Sequence, residues 1–229
     1  MTFHNRIQAV FFDLDNTLFD HTRAERTALS EILTDNVSAG QLPAFLEAYH
    51  EANTVLWREL AAGQIAGDVL KVRRFEMAFS AIGMAVPDCS ELALHYLELY
   101  SLKAFTVSGA VAISEYLQKK YVLGILSNGF PEIQRNKLTV TALGTYFRHQ
   151  IFSGDVGVMK PDRAIFDKAA RAVRLDSSAL LYIGDSVESD VAGAKNAGWN
   201  AIFFNPSRSN ISHQADAEIA HLEELRQLL

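Results

Sequence analysis

A single cysteine, Cys89, stands among 229 residues, which excludes an intramolecular disulfide. The seven histidines lie apart, without the short Cys/His spacings of a zinc site. No apolar run approaches the roughly 20 residues that cross a bilayer. The start of the chain, residues 1–6, is polar in character and lacks the apolar stretch of a secretory leader. The expectation from both is a cytoplasmic protein with no membrane partner. Basic charge is in deficit, with 21 Lys and Arg against 27 Asp and Glu and a net charge of −6, so the chain offers no footprint for a nucleic acid polymer or an anionic lipid surface. No segment is repeated or of low complexity. What remains is a composition 49% hydrophobic and 21% charged, suited to folding, at a length that fits one large α/β domain or a domain with an insertion.

Residues 7–12 form a short apolar stretch, unbroken over Ala9, Val10, Phe11 and Phe12, that stops at acidic residues as a strand buried on both faces does. From residue 22 to about residue 103 the periodicity becomes helical, with apolar positions at Leu42, Phe45, Leu46, Tyr49, Leu56 and Leu60, then Val72, Phe75, Phe79 and Ile82. Ser38 with Gln41 and Asp88 with Glu91 fit capping boxes, and Gly63, Gly67, Gly83 and Pro87 are read as loop positions. About four helices and no strand are expected there. After Val107-Ser108-Gly109, apolar runs at 121–127, 151–152, 180–183 and 201–204 alternate with helical stretches, and 205–213 reads as a loop before a short final helix. Such alternation implies a parallel sheet whose functional groups gather at the carboxyl ends of its strands. The expected organisation is an α/β core from residues 1–20 and 104–229, interrupted by a helical segment over 21–103.

The strand ends carry the informative residues. Asp13, Asp15 and Thr17 follow the first strand; such residues also make turns and caps, but two carboxylates brought together near a phosphate repel it and each other unless a divalent cation or a shared proton intervenes. Ser127, Asn128 and Gly129 end the next strand ahead of Pro131, a helix-opening residue, so a strand-to-helix turn and a phosphate-facing hydroxyl with backbone N–H groups are compatible readings. Lys160 precedes Pro161 and a helix beginning near Asp162, where one ammonium suffices to hold phosphate oxygens. Gly184, Asp185, Ser186 and Asp190 follow the strand at 180–183; helix capping accounts for one of these polar groups, and Mg²⁺ would use carboxylates from several loops.

In that order, Asp13-x-Asp15-x-Thr17, Ser127, Lys160-Pro161 and Gly184-Asp185-x-x-x-x-Asp190 resemble the four motifs of the haloacid dehalogenase (HAD) superfamily, over nearly the whole chain. The resemblance implies a HAD-like modified Rossmann core, a parallel sheet flanked by helices, with an inserted all-helical cap. It further implies a Mg²⁺-dependent phosphatase. Asp13 would attack phosphorus and become an aspartyl phosphate, and Asp15 would serve as general acid and then base, for which its pKa would have to rise above the ordinary value of about 4. The metal would be held by Asp13, the Asp15 main-chain carbonyl and Asp185, with Asp190 nearby. Thr17, Ser127, Asn128, Gly129 and Lys160 would hold the phosphate. Many relatives have a second acid after Gly184-Asp185; here that position is Ser186. Dehalogenases of the superfamily lack an acid two residues after the nucleophile, so Asp15 argues for phosphate chemistry.

The stretches Asp15-Asn16-Thr17-Leu18-Phe19-Asp20, Leu56-Trp57-Arg58 and Val72-Arg73-Arg74-Phe75 look like the noncanonical pyrimidine 5′-nucleotidases. That branch implies a nucleotide substrate, with Trp57, Arg73 and Arg74 as cap candidates against the alternative of ordinary bundle packing. The rivals are a phosphatase or mutase of sugar or sialic-acid phosphates and, more remotely, a receiver-type phospho-aspartate signalling domain. A monomer or a homodimer is compatible with the sequence.

Overall fold

The computed structural model describes Phe3 and residues 6–229; residues 1, 2, 4 and 5, at the start of the expected core segment, lie outside the described residues. The apolar run after them forms strand β1 (Ala9–Phe12), all four residues buried. Their alternation splits them between two cores, Val10 and Phe12 on one face of the sheet, Ala9 and Phe11 on the other. Four helices follow, α1 (His21–Ile32), α2 (Leu42–Ala61), α3 (Gly67–Ala81) and α4 (Cys89–Leu102). Then come α5 (Ala110–Leu117), β2 (Val122–Ser127), α6 (Pro131–Val140), β3 (His149–Phe152), the single-turn α7 (Ser153–Val156) and α8 (Arg163–Val173). The chain closes with β4 (Leu180–Gly184), a π-helical turn Val187–Ala192 running into α9 (Gly193–Asn196), β5 (Asn200–Phe204), β6 (Ala217–Ile219) and α10 (Leu225–Leu228).

The six strands form one sheet in the order β3-β2-β1-β4-β5-β6, every pairing parallel. This is the doubly wound order expected of a Rossmann-type core, with β1 at the point where the winding reverses. Register then sets the site. Phe12 is level with Ile125 of β2 on one side and Ile183 of β4 on the other. Asp13, Ser127 and Asp185 therefore emerge at the same edge of three adjacent strands.

Two compact units divide the chain, Met1–His21 with Ala104–Leu229, and Thr22–Lys103. In the first, the sheet packs α5 and the C-terminal helix on one face, while Phe166, Trp199 and Tyr182 interlock edge-to-face on the other, Phe11 meeting Trp199 at 5.3 Å. The strands of chain that leave and re-enter this unit are hydrogen-bonded to each other: the Asp20 N–H donates to the Phe105 carbonyl at 2.8 Å and the Val107 N–H to that of Leu18 at 2.9 Å. The second unit is wholly helical and cored by aromatic rings, with Phe45 against Phe79 at 4.8 Å, Tyr49 against Phe75 at 5.0 Å and Phe75 against Tyr96 at 5.6 Å.

Some local readings differ from the structure. β6 was not expected; it pairs with β5 inside the stretch assigned to the approach to the last helix. Ser38 does not cap α2: its hydroxyl meets the Gln41 side chain, Gln41 is the N-cap residue, and a proline in the first turn fixes the start of the helix. Asp88 does cap α4, accepting from the Ser90 N–H at 2.9 Å. Gly67 opens α3 rather than lying in a loop, whereas Gly63 and Gly83 take the positive φ of 69° and 70° that follows a helix end.

Candidate active site

Lys160 is the hub. Its side chain is buried, and its three ammonium hydrogens are matched by three acceptors, Asp13 Oδ1 at 2.6 Å, Asp190 Oδ1 at 2.7 Å and the Tyr182 hydroxyl at 2.7 Å. Tyr182 in turn donates to the Leu126 carbonyl at 2.6 Å. Asp190 is fixed from both sides, its second oxygen accepting from the Ser186 N–H at 2.9 Å. Ser186 caps the π-helical turn through the Ser189 N–H, so its hydroxyl serves to start that turn. The Thr17 hydroxyl donates to Asp185 Oδ1 at 3.5 Å.

The Asn128 side chain is bonded to the Lys160 main chain. Its amide donates to the Lys160 carbonyl at 3.0 Å and its oxygen accepts from the Lys160 N–H at 2.8 Å, so both ends of the side chain pin the lysine loop. Ser127 accepts from the Gly129 N–H at 3.2 Å and from the Gln134 amide at 3.3 Å. A Cβ on Gly129 would lie 2.0 Å from that Gln134 nitrogen, which explains the glycine by close approach.

Asp15 departs most from expectation. Its Oδ1 accepts from Lys137 at 2.7 Å and its Oδ2 from Gln134 at 2.6 Å. Burial alone would raise its pKa, but the Lys137 ammonium overrides this and, helped by His21 and Gln134, lowers it from the usual 3.8 to about 2. The anticipated rise does not occur. Lys137 and Gln134 were not singled out from sequence; the available signal was two polar residues, i and i+3, on the face of α6 that buries Ile133 and Leu138.

Asp13 and Asp185 behave oppositely. Burial raises Asp13 to about 7, Lys160 opposing and Asp190 reinforcing the rise. Burial, then repulsion from Asp13 and Asp190, raises Asp185 to about 8. Burial would lower Lys160, yet Asp13 and Asp190 raise it above an ordinary lysine. Three carboxylates thus share one ammonium, and one oxygen from each of Asp13, Asp185 and Asp190 lies within 4.8 Å of the others. Such crowding of hard oxygen donors around too little positive charge suits a divalent cation of the magnesium type. The Asp15 carboxylate is not part of this cluster, being turned to α6.

The cap candidates lie in the helical unit. Arg74 is buried, its guanidinium donating to Asn53 Oδ1 at 3.2 Å and lying 4.8 Å from the Tyr96 ring and 5.4 Å from that of Tyr49. It is a packing group of the bundle. Arg73 is exposed and meets Glu59 at 3.4 Å, and Trp57 is half-buried.

Comparison with known proteins gives the family. Residues 7–198 match the family model of the haloacid dehalogenase-like hydrolases. A pyrimidine 5′-nucleotidase of Streptococcus pneumoniae is 32% identical over 199 residues, 86% of this chain and 83% of that one. Another from Escherichia coli is 30% identical over 228 residues, 96% of each chain. The solved structure of a HAD-hydrolase from Bacillus subtilis bound to magnesium superposes with a TM-score of 0.88 at 26% identity, covering 98% of this chain and 99% of that one. Solved haloacid dehalogenases share the fold as well. Among the described residues no helix is long and apolar enough to cross a membrane.

Proposed function

This chain belongs to the haloacid dehalogenase-like hydrolases, and on that premise we propose that it is a Mg²⁺-dependent phosphatase of small phosphomonoesters, acting on nucleoside 5′-monophosphates and on pyrimidine ones foremost. The observation that carries the reading is the convergence of Asp13, Lys160, Asp185 and Asp190 at the carboxyl edge of β1 and β4. In this reading an Asp13 oxygen attacks phosphorus and the bond to the ester oxygen breaks, while Asp15, which has to take up a proton from solvent against the pull of Lys137 before it can act as an acid, passes that proton to the departing alkoxide. Asp15 then takes a proton from water, whose oxygen attacks the aspartyl phosphate, releasing inorganic phosphate and restoring Asp13. The carboxylate held by Lys137 is the proton-accepting form that the second half requires. Ser127 and Lys160 hold the transferring group, and Asn128 serves by fixing Lys160. Mg²⁺, held by Asp13, Asp185 and the main-chain carbonyl of Asp15, would neutralise charge on the phosphate oxygens. Asp190, with both oxygens already engaged, steadies Lys160 rather than the ion.

The acid at position 15 favours phosphate esters over haloacids, whose leaving halide needs no proton. The helical unit Thr22–Lys103 is read as the cap that selects the substrate, with exposed Arg73 and half-buried Trp57 as its candidate contacts. A lone, buried Cys89 suits the cytoplasm as the place of work.

The test is a panel of nucleoside monophosphates, sugar phosphates and 2-chloropropionate, assayed with Mg²⁺ and with EDTA. Nucleoside monophosphates should be hydrolysed, EDTA should stop the reaction, and Asp13→Asn should cost on the order of a thousandfold or more in turnover. Faster turnover of every sugar phosphate would overturn the substrate, and chloride release without phosphatase activity would overturn the reaction.

A further inference from the structure

Helix α6 buries Ile133, Gln134, Lys137 and Leu138 along one face. Two apolar residues there are ordinary packing; a lysine only 1% exposed is not, because a buried ammonium loses its hydration unless a partner repays it, and an apolar side chain of similar volume would pack as well. The partner is Asp15. Each of its carboxylate oxygens has a separate donor from α6, Lys137 Nζ at 2.7 Å and Gln134 Nε2 at 2.6 Å. Two donors on two oxygens fix the plane of the carboxylate, where a single contact would leave it free to turn about its last bond. The same Gln134 nitrogen also reaches Ser127 Oγ at 3.3 Å. The orientation of the acid is thereby tied to a hydroxyl at the end of the neighbouring strand. Lys137 keeps its place over the Phe19 ring, 5.9 Å away, and Gly129 leaves the room that Gln134 occupies. With 27% of its side chain exposed, Asp15 remains reachable while so held.

We infer that Lys137 and Gln134 are positioning residues for Asp15, holding its carboxylate in one plane and coupling that plane to Ser127, so that proton exchange with the leaving oxygen runs along a fixed direction. The inference rests on Asp15 being the acid of the proposed reaction. Neither residue touches the substrate in this scheme; both act through Asp15.

A leaving-group comparison tests it. Values of kcat/KM report events up to departure of the alcohol, so activation of water does not enter them. A nucleoside 5′-monophosphate, whose alkoxide needs a proton, is compared with p-nitrophenyl phosphate, whose phenolate does not. Asp15→Ala should lose about a hundredfold on the alkyl ester and less than about tenfold on the aryl ester. Lys137→Met and Gln134→Leu should show the same bias at smaller size, about tenfold on the alkyl ester, and Lys137→Met should add little on top of Asp15→Ala. Equal losses on both esters, or none, in Lys137→Met while Asp15→Ala remains selective would overturn the inference alone. Equal losses in Asp15→Ala itself would remove the acid reading and the inference with it. Should Lys137→Met fail to fold, Gln134→Leu, which leaves the buried cation in place, decides by the same criterion.

Discussion

Gly184 ends β4 directly beneath the acidic loop, and a Cβ there would lie 2.3 Å from an Asp190 oxygen. Asp190 has nowhere to withdraw, since the Lys160 ammonium holds one oxygen and the Ser186 N–H the other. Gly184→Ala should therefore push Asp190 and Lys160 out of line and lower turnover by about a hundredfold, as misplacements of about an ångström do, with the protein still folded. A phosphatase assay beside a thermal melt checks this, and unchanged activity would show that Asp190 is not held as tightly as its contacts imply. Asp13 and Asp185 were legible in the sequence because each directly follows a strand, where the sheet brings side chains together whatever their distance along the chain, and Lys160 because it stands in the loop that opens the next helix. Lys137 and Gln134 were not. Their meaning depends on which carboxylate lies opposite the buried face of α6, and no local pattern records that. The same blind spot hid the direction of the Asp15 pKa, since the rise was what the acid role would require, and the cation that lowers it instead lies on another element. Asn128, beside Ser127 in the sequence, reads as a phosphate-binding residue, and only the fold reveals that its side chain also bonds the Lys160 main chain at both ends.

Strands β1, β2 and β4 were visible as apolar runs because both faces of the sheet are covered, so no polar residue interrupts them. β6 was not visible. Its three residues are a partly buried alanine, an exposed glutamate and a buried isoleucine at the edge of the sheet, too short for any period to declare itself. The contact between β1 and β2 also explains the glycine in the middle of β2. A Cβ on Gly124 would lie 2.2 Å from the Phe11 ring, and Phe11 is wedged against Trp199 at 5.3 Å. Gly124→Ala should overpack that face and cost about 1–3 kcal/mol, read as a lower denaturant midpoint at unchanged slope. A neutral result would mean that Phe11 has room to shift.

Across the molecule the unbalanced acids link stability to pH. Asp13 at about 7 and Asp185 at about 8 are both raised from 3.8, so the folded protein retains protons that the unfolded chain has released. Their contribution is complete below the unfolded value and is lost as pH rises through the folded ones. Asp15, lowered to about 2, contributes above 3.8 and loses that contribution only as pH falls through its folded value, so it is constant across the neutral range. Metal-stripped protein should therefore melt at a lower temperature near about pH 8.5 than near about pH 5.5, and Mg²⁺ should raise the melting temperature most at the alkaline end, where the acids are free to bind it. Melts with EDTA and with Mg²⁺ across that range decide the matter; a melting temperature of the stripped protein that climbs with pH would contradict it.

The rung between Asp20 and Phe105 has a consequence of another kind. Everything from Thr22 to Lys103 is spliced in at one seam, whose two lips are already stitched together on the side of the sheet. Since all six strands lie outside that passage, its length and sequence can change without rethreading a single one of them.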